Sequence, residues 1–253
     1  MIKKIKTHLF VMNIIKLSAT NSTNDYLKQL TATQHVENFT IVVTGNQTAG
    51  RGQMGAKWNA EPDKNLTFSV LVRDLLLDIT GIFNLNVAVA VSIAQVLEEL
   101  SIPALKIKWP NDILAGNKKI GGILIENSLK TGGEISSVIG IGLNVNQKNF
   151  DGLPKASSLS VAAGRDFNKD EVMMAIVQKL QHNIAKLLHN DVQSLWDSYH
   201  NKLYKIGVPM PFQNEANKFM GIIKGVTPTG QLEVLLENDS IAHYAIKEVQ
   251  LLY

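Results

Sequence analysis

The sequence predicts an α/β or α+β domain followed by a small β-barrel. Strand-like runs alternate with segments of helical periodicity over most of the chain, whereas only short strand-like pieces separated by turns follow Ile206. The 253 residues leave room for a large core and a second small domain, and 45% hydrophobic with 19% charged residues is ordinary for a globular protein. We place the boundary near Lys205, which divides the chain into residues 1–205 and 206–253.

Caps and strand-like runs define the first elements. Ser22, with Asp25 three residues later, fits a capping box at the start of a helix. Thr40–Thr44 and Leu66–Arg73 are strand-like. Pro110 ends a further strand, KIK, because proline disfavours continuation of regular structure. We therefore expect strands on both sides of a helical segment.

Two longer helices are predicted from apolar spacing. Phe83–Leu100 carries apolar residues on one face, and Asn168 with Glu171 caps a later helix. The apolar positions of this later helix recur at helical spacing: Val172, Ile176, Leu180, Ile184 and Leu187. We expect Met173 and Met174 to pack in the core.

The second part contains only strand-like pieces. They read VPMPF, GIIKGV, LEVLLE and AHYAIKEVQLLY, with a turn at Thr227–Gly230. Such short segments separated by turn residues indicate a small β-barrel.

The most informative segment is the loop GRGQMG, Gly50–Gly55. Glycines at this spacing let backbone N–H groups converge on an anion, and Arg51 adds a guanidinium suited to carboxylate or phosphate oxygens. A dinucleotide-binding loop would open a helix, but a strand, LTFSVLV, follows. A kinase loop lacks its HRD and DFG partners, and a Walker A loop lacks its Lys-Ser/Thr pair. A simple hairpin connection is the remaining alternative.

Three other segments support an anion site, although each has an ordinary structural explanation. The helix start at STND, Ser22–Asp25, offers free N–H groups, or is capping alone. KWPND, Lys108–Asp112, places polar side chains at a strand end, or is an Asx turn. KKIGGILIE, Lys118–Glu126, has glycines inside a strand, which indicates close approach of a backbone or ligand.

The motifs STN, TAGRGQMG, KWPND, KKIGGILIE and IGIGLNVN occur in the order and spacing seen in the biotin protein ligases. The chain resembles this family from about Met12 to its C-terminus. The resemblance implies an α+β fold of the class II aminoacyl-tRNA synthetase/biotin ligase type, with a mixed sheet, flanking helices and an SH3-like C-terminal barrel. It also implies a two-step reaction: biotin and ATP, with Mg²⁺, give biotinyl-adenylate, and the biotinyl group passes to a lysine of a carboxylase's biotin carboxyl carrier domain.

The same resemblance assigns roles to individual residues. The implied catalytic residues are Lys119, Arg51 and Asp112, with Asp112 also a candidate Mg²⁺ ligand and base. The implied biotin-binding residues are Ser22, Thr23, Asn24, Gln47, Gly50, Arg51, Gly52, Gln53, Lys119, Gly122 and Gly140. The implied ATP-binding residues are Arg51, Gln53, Trp58, Asn111 and Asn144.

One departure from the family pattern concerns the glycine loop. Many relatives carry a run of arginines there, whereas this chain has Gln53, Met54 and Ala56 in three of those places. With fewer cations, we expect weaker retention of the adenylate unless Lys57 replaces part of the charge.

Two alternatives to a biotin ligase stay open: a lipoate ligase or transferase of the same fold, and a non-catalytic biotin-binding module.

Composition excludes several other classes. A net charge of +3 without a basic cluster gives no support to nucleic-acid binding. The absence of cysteine excludes disulfides and thiol catalysis and agrees with a cytoplasmic location. The six histidines show no zinc-binding spacing. We expect neither export nor a membrane span nor a DNA-binding domain, and residues 1–11 are an extension of the family pattern or a misassigned start.

We expect an edge strand, Glu134–Asn144, that either pairs with a second copy in a homodimer or is covered internally.

Overall fold

The chain folds around two β-sheets. The computed structural model describes residues 2–7, 10–75, 81–129, 135–189 and 191–253. The larger sheet has eight strands in the order β1-β2-β3-β4-β8-β7-β6-β5, and the smaller has five in the order β12-β11-β10-β9-β13. In the larger sheet β2 and β3 run parallel, and the other described neighbours run antiparallel. The predicted α+β class with a mixed sheet is confirmed.

The strands of the larger sheet are β1 Ile2–Thr7, β2 Phe10–Thr20, β3 Ile41–Gln47, β4 Leu66–Leu75, β5 Leu105–Lys108, β6 Asp112–Ala115, β7 Lys118–Leu129 and β8 Ile135–Leu143. Those of the smaller sheet are β9 Pro209–Gln213, β10 Lys218–Val226, β11 Leu232–Leu236, β12 Ile241–Tyr244 and β13 Gln250–Leu251. The helices are α1 Thr23–Thr33, α2 Ile82–Glu99, α3 Leu159–Ala163, α4 Lys169–Leu188 and α5 Gln193–Lys202.

The two faces of the larger sheet have different cores. Because side chains alternate along a strand, Phe68 and Ile141 point to one face, where α2 packs and α4 packs behind it. Leu71 and Val138 point to the other face, where they pack against Leu27 of α1. Among the described helices, α1 is the one that contacts β3, β4 and β8 on this second face, and the sheet beside its start is left open.

Helix α2 is the central helix of the core. Eleven of its residues are buried, including a continuous run from Val87 to Ala94. It is long and apolar enough to cross a membrane, but its apolar surface is covered by the sheet, α4 and α5. Its composition therefore reflects burial on nearly all sides within this fold.

The smaller sheet packs against the core through aromatic residues. The Trp109 indole N–H donates to the Gly230 carbonyl over 2.9 Å, and the turn containing Gly230 lies on the ring of Phe83. Phe83 stacks with Trp196 at a ring distance of 5.9 Å.

The predicted C-terminal strands are confirmed as an antiparallel sheet. Within the described residues no pairing joins its outer strands, β12 and β13.

Most predicted elements agree with the structure. Ser22 caps α1 through a hydrogen bond from the Asp25 N–H, and Asn168 caps α4. Met173 is buried and Met174 is half-buried against the same core. The prediction of an edge strand at Glu134–Asn144 is wrong: β8, Ile135–Leu143, lies inside the sheet between β4 and β7, and Glu134 is outside the described residues. Its hydrogen bonds are used within the chain, so it offers no edge for a homodimer.

The interface between the two sheets generates a prediction about Gly230. This residue has φ of +88°, and a Cβ there would lie 2.4 Å from Cδ2 of Phe83. Gly230→Ala should lower the free energy of unfolding by about 2–4 kcal/mol, because strain in the left-handed region adds to overpacking. Urea unfolding followed by tryptophan fluorescence measures the loss.

The matched control is Gly116→Ala. Gly116 also has positive φ, +60°, but nothing lies within 4 Å of an added Cβ. It should lose only about 1 kcal/mol from backbone strain. Equal losses in the two variants would contradict the proposed contact between Gly230 and Phe83.

Candidate active site

A row of aligned residues across the larger sheet forms the floor of the site. Thr67 of β4, Gly142 of β8 and Gly122 of β7 are cross-strand neighbours. The row continues through Asp112 of β6 to Lys108 of β5. Because two of these five positions carry no side chain, the middle of the row is flat and open, while its β5–β6 end carries charge.

A β-bulge places Lys119 on this same face. Strict alternation along β7 would put Lys119 on the face opposite Gly122. The pairing of β6 with β7 shifts register between Ile113 and Leu114, so that one extra residue of β7 is inserted. The Lys119 Nζ consequently lies 3.4 Å from the position of a Cβ on Gly122, and Ile120 is buried in the core.

A buried polar cluster holds the start of α1 above the sheet. The Ser69 hydroxyl lies 2.6 Å from Oδ1 of Asn24 and 2.7 Å from Oγ1 of Thr23. The Asn24 amide donates to Glu126 over 2.7 Å, and the Thr23 N–H donates to Oε1 of Gln47 over 2.9 Å. These hydrogen bonds compensate the burial of the polar groups and fix the helix start as a rigid wall.

Gly140 is required by this cluster. A Cβ at position 140 would lie 2.5 Å from Oδ1 of Asn24, so any larger residue would displace Asn24. The sequence prediction attributed Gly140 to close approach of biotin. In the structure its immediate neighbour is Asn24.

The glycine loop forms a compact flap with internal hydrogen bonds. The Gly52 N–H donates to the Ala56 carbonyl over 2.6 Å, and the Trp58 N–H donates to the Gly50 carbonyl over 3.0 Å. Gln53–Gly55 form a single 3-10 turn at its tip. The flap returns to the sheet at Trp58.

The Trp58 indole lies directly on the glycine floor. A Cβ at Gly142 would be 2.5 Å from Cε2 of Trp58, so only glycine leaves room for the ring. Lys119 Nζ is 5.8 Å from the centre of the indole, within cation–π range. The indole Nε1 is buried without a hydrogen-bond partner in the part of the chain that the structure describes, which leaves one donor for another molecule.

Arg51 and Lys119 lie in one cavity but pair with different carboxylates. Arg51 contacts Asp25 through a short ion pair and lies 3.6 Å from Oε1 of Glu126, which also binds Lys28 at 2.8 Å. Its side chain is 45% exposed, so these pairs are weak, about 0–1 kcal/mol each. The guanidinium is therefore held at the mouth by contacts that a ligand anion can replace.

Lysines surround a single carboxylate at the other end. Lys119 Nζ is 2.6 Å from Oδ1 of Asp112, and Lys108 Nζ is 3.7 Å from Oδ2. Burial is the main cause that lowers the pKa of Lys108; the Asp112 carboxylate opposes the effect, and the positive charges of Lys119 and Lys155 reinforce it. The excess of cations over carboxylates makes this end attractive to an anion.

These parts enclose a cavity of about 520 Å³. The main sheet, the start of α1 and the flap form three sides, and the C-terminal sheet forms the fourth. The residues of the C-terminal sheet and of the connection between β12 and β13 that line the cavity are Ile223, Leu232, Ile246, Lys247, Val249, Gln250 and Leu251. An elongated, partly apolar ligand with an anionic group fits this lining.

The structure brings most predicted site residues together. Those that line the cavity are Ser22, Thr23, Asn24, Gln47, Arg51, Gly52, Gln53, Trp58, Asn111, Asp112, Lys119, Gly122 and Gly140. Gly50 and Asn144 do not line it. Gly50 lies at the neck of the flap, where a Cβ would be 2.2 Å from the Trp58 carbonyl oxygen, and the Asn144 amide donates to the Ser157 carbonyl over 2.9 Å. Their ligand contacts stay predictions.

Several residues of the site were missed by the sequence prediction. Gly142 was overlooked although it belongs to the IGIGLNVN motif, where its spacing of two from Gly140 was a usable signal. Glu126 and Ser69 join the site through strand pairing, and Lys247 comes from the C-terminal sheet. Glu126 was quoted only as the last residue of KKIGGILIE and was given no role, and no local pattern indicated Ser69 or Lys247.

The residues near Asp112 do not fit a metal ion held by the protein alone. Both Asp112 oxygens face ammonium groups, at 2.6 and 3.7 Å. Over the described ranges no group of three or more His, Cys, Asp or Glu side chains could hold a metal ion. Any Mg²⁺ at this site would depend on oxygens brought by a ligand.

The chain is similar to known proteins over most of its length. Residues 17–146 match the biotin/lipoate A/B protein ligase family. The chain is 31% identical to the bifunctional ligase/repressor BirA of Bacillus subtilis, over 98% of this chain and 76% of that protein. It is 28% identical to the biotin--[acetyl-CoA-carboxylase] ligase of Mycobacterium tuberculosis, over 85% of this chain and 80% of that protein.

Solved structures give the same result. The biotin protein ligase from Aquifex aeolicus in complex with biotin and ATP superimposes with a TM-score of 0.79 at 27% identity, covering 94% of this chain and 98% of that one. The chain belongs to the biotin/lipoate A/B protein ligase family.

The fit of Trp58 on the sheet leads to a prediction. Gly142→Ala should displace the indole, because the nearest Cβ contact would be 2.5 Å. In a two-dimensional amide spectrum the three tryptophans give three indole signals, and Trp58→Phe identifies that of Trp58. The variant should shift this signal and leave those of Trp109 and Trp196 in place. Gly122→Ala is the control, because its Cβ would stay 3.7 Å from the ring, and an equal shift in both variants would contradict the packing.

Proposed function

We propose that the chain is an ATP-dependent biotin protein ligase. The observation that carries this proposal is the single cavity that contains both Arg51 and Lys119, bounded by the predicted biotin-binding residues at the start of α1. Relatives that match over most of this chain include a bifunctional ligase/repressor and a biotin--[acetyl-CoA-carboxylase] ligase, and one solved relative is in complex with biotin and ATP. The cavity's mixture of apolar lining and separated cations suits biotin joined to a nucleotide.

In the first step an oxygen of the biotin carboxylate attacks the α-phosphorus of ATP. The bond between the α- and β-phosphates breaks, pyrophosphate leaves, and biotinyl-adenylate remains. Both reactants are anionic, so positive charge must be placed where they meet. We assign this role to Lys119, which the bulge aims over the open floor at Gly122, and to Arg51, after it leaves Asp25 for the ligand.

Asp112 holds Lys119 in position for this step. Its carboxylate contacts the Lys119 ammonium at 2.6 Å and thereby limits the directions that the flexible side chain can take. In the second step the acceptor amine attacks the biotinyl carbonyl, an amide forms and AMP leaves. The amine must lose a proton, and Asp112 is the carboxylate that we propose as its acceptor.

The substrates and surroundings follow from this assignment. ATP enters as its magnesium complex, with Mg²⁺ bound mainly by phosphate oxygens. The polar start of α1 binds the ureido ring of biotin, and the Trp58 indole lies near the adenine. The acceptor is a biotin carboxyl carrier domain of a carboxylase, and the reaction takes place in the cytoplasm, consistent with the cysteine-free sequence.

Pyrophosphate exchange into ATP tests the first step directly. The wild-type chain should catalyse exchange that depends on biotin. Lys119→Ala should lower the rate at least about 100-fold, because a charge that stabilises the transition state is removed. Lys118→Ala is the matched control: Lys118 is the preceding residue of the same strand but is exposed, and its loss should change the rate less than about twofold.

Replacing biotin with lipoate in the same assay separates the two specificities of the family. Exchange with biotin and none with lipoate agrees with the proposal. Exchange with lipoate alone would assign the chain to lipoate attachment, and exchange with neither would favour a binding module. Equal rates in the Lys118 and Lys119 variants would contradict the catalytic role of Lys119.

A further inference from the structure

The tip of the glycine loop is attached to the C-terminal sheet. The Lys247 ammonium donates a hydrogen bond of 2.9 Å to the Met54 carbonyl, although the two residues are 193 positions apart. Lys247 belongs to the connection between β12 and β13 and lines the cavity. The contact therefore joins the flap to the C-terminal wall of the cavity.

Both partners have defined local conformations. Met54 and Lys247 have φ of +55° and +74°, values that residues with side chains adopt only when their surroundings impose them. The turn at Lys247 is closed by a hydrogen bond of 2.6 Å from the Ala245 N–H to the Glu248 carboxylate. Val249, two residues on, is buried in the core. Lys247 thus projects from a fixed turn.

Hydrogen bonds within the flap join its two sides, so a contact at the tip acts on the whole flap. Its internal hydrogen bonds, Gly52 N–H to Ala56 and Ala56 N–H to Gln53, measure 2.6 and 3.2 Å. At its base Arg51 binds Asp25, on the α1 side of the cavity. Lys247 holds its tip on the opposite side, so the flap spans the cavity between two charged contacts.

The sequence of the flap explains why an outside cation matters. Between Gly50 and Trp58 the positive residues are Arg51 and Lys57, both at the base, whereas Gln53, Met54 and Ala56 are uncharged. The tip carries an exposed Met54 side chain, 57% accessible, which offers little to hold it down. Its attachment in the structure is the backbone carbonyl of Met54, and the donor is Lys247.

We propose that Lys247 is a positioning residue that holds the glycine loop closed over the cavity and thereby slows the escape of the bound acyl-adenylate. Lys247 acts on the loop backbone and takes no part in bond formation. The proposal rests on the proposed ligase function for its ligand, but the contact itself is testable in the free protein.

Hydrogen exchange of the unliganded full-length chain tests the contact first. In Lys247→Met, amide exchange at Gly52 and Ala56 should accelerate about three- to tenfold, because the closed loop loses a charge-assisted hydrogen bond. Lys247→Arg keeps a charged donor and should stay within about twofold of wild type. Lys218→Met, at an exposed lysine of β10 in the same sheet, is the control and should leave loop exchange unchanged.

Release of preformed biotinyl-adenylate tests the consequence. The complex is made with biotin and magnesium-ATP, and loss of the labelled adenylate is followed after removal of free ligand. Lys247→Met should release it about three- to tenfold faster, and Lys247→Arg should restore slow release. A change in release without rescue by arginine would contradict a role for the donated hydrogen bond.

The two measurements separate failure of this inference from failure of the proposed function. Unchanged loop exchange in Lys247→Met overturns the inference, whatever the enzyme does. Faster exchange with unchanged adenylate release overturns the positioning role. A wild-type chain that forms no adenylate contradicts the proposed function, and the exchange measurement still decides whether Lys247 closes the loop.

Discussion

The site depends on a flat strip of β-sheet from which side chains are missing. Gly122, Gly140 and Gly142 point to the same face of β7 and β8, and each is close to a different group: Lys119, Asn24 or Trp58. On the opposite face the neighbouring isoleucines are buried under α2. One face of the strands therefore supplies the hydrophobic core, and the other supplies room for a ligand.

Charge is distributed around this strip by tertiary structure. Arg51 lies on the flap, and the bulge in β7 turns Lys119 toward the cavity. Each cation pairs with a carboxylate from another element, Arg51 with Asp25 and Lys119 with Asp112. The resting pairs differ in exposure: the carboxylate is 17% exposed at Asp112 and 38% at Asp25, and the cation is 36% exposed at Lys119 and 45% at Arg51. Lys119 is thus positioned before a ligand arrives, while Arg51 is free to exchange partners. This asymmetry suits a site that must close around two anions.

The sequence predicted local features well because they depend on neighbouring residues. The cap at Ser22 and the cap at Asn168 are set by side chains within three residues, and both are confirmed. Features that depend on strand pairing were beyond local patterns. The sequence gives no measure of order in a sheet, so β8 was wrongly predicted as an edge strand. The bulge that reverses the direction of Lys119 is likewise a property of the pairing with β6. The motif indicated that Lys119 matters, and only the fold explains how it reaches the cavity.

A crystal structure with a non-hydrolysable analogue of biotinyl-adenylate tests the central claim most directly. The account predicts that the acyl-phosphate link lies over Gly122 between Lys119 and Arg51, and that Arg51 has left Asp25 for the ligand. An analogue bound elsewhere would contradict it. So would an analogue in the cavity with Arg51 still paired to Asp25 and Lys119 out of reach of the phosphate.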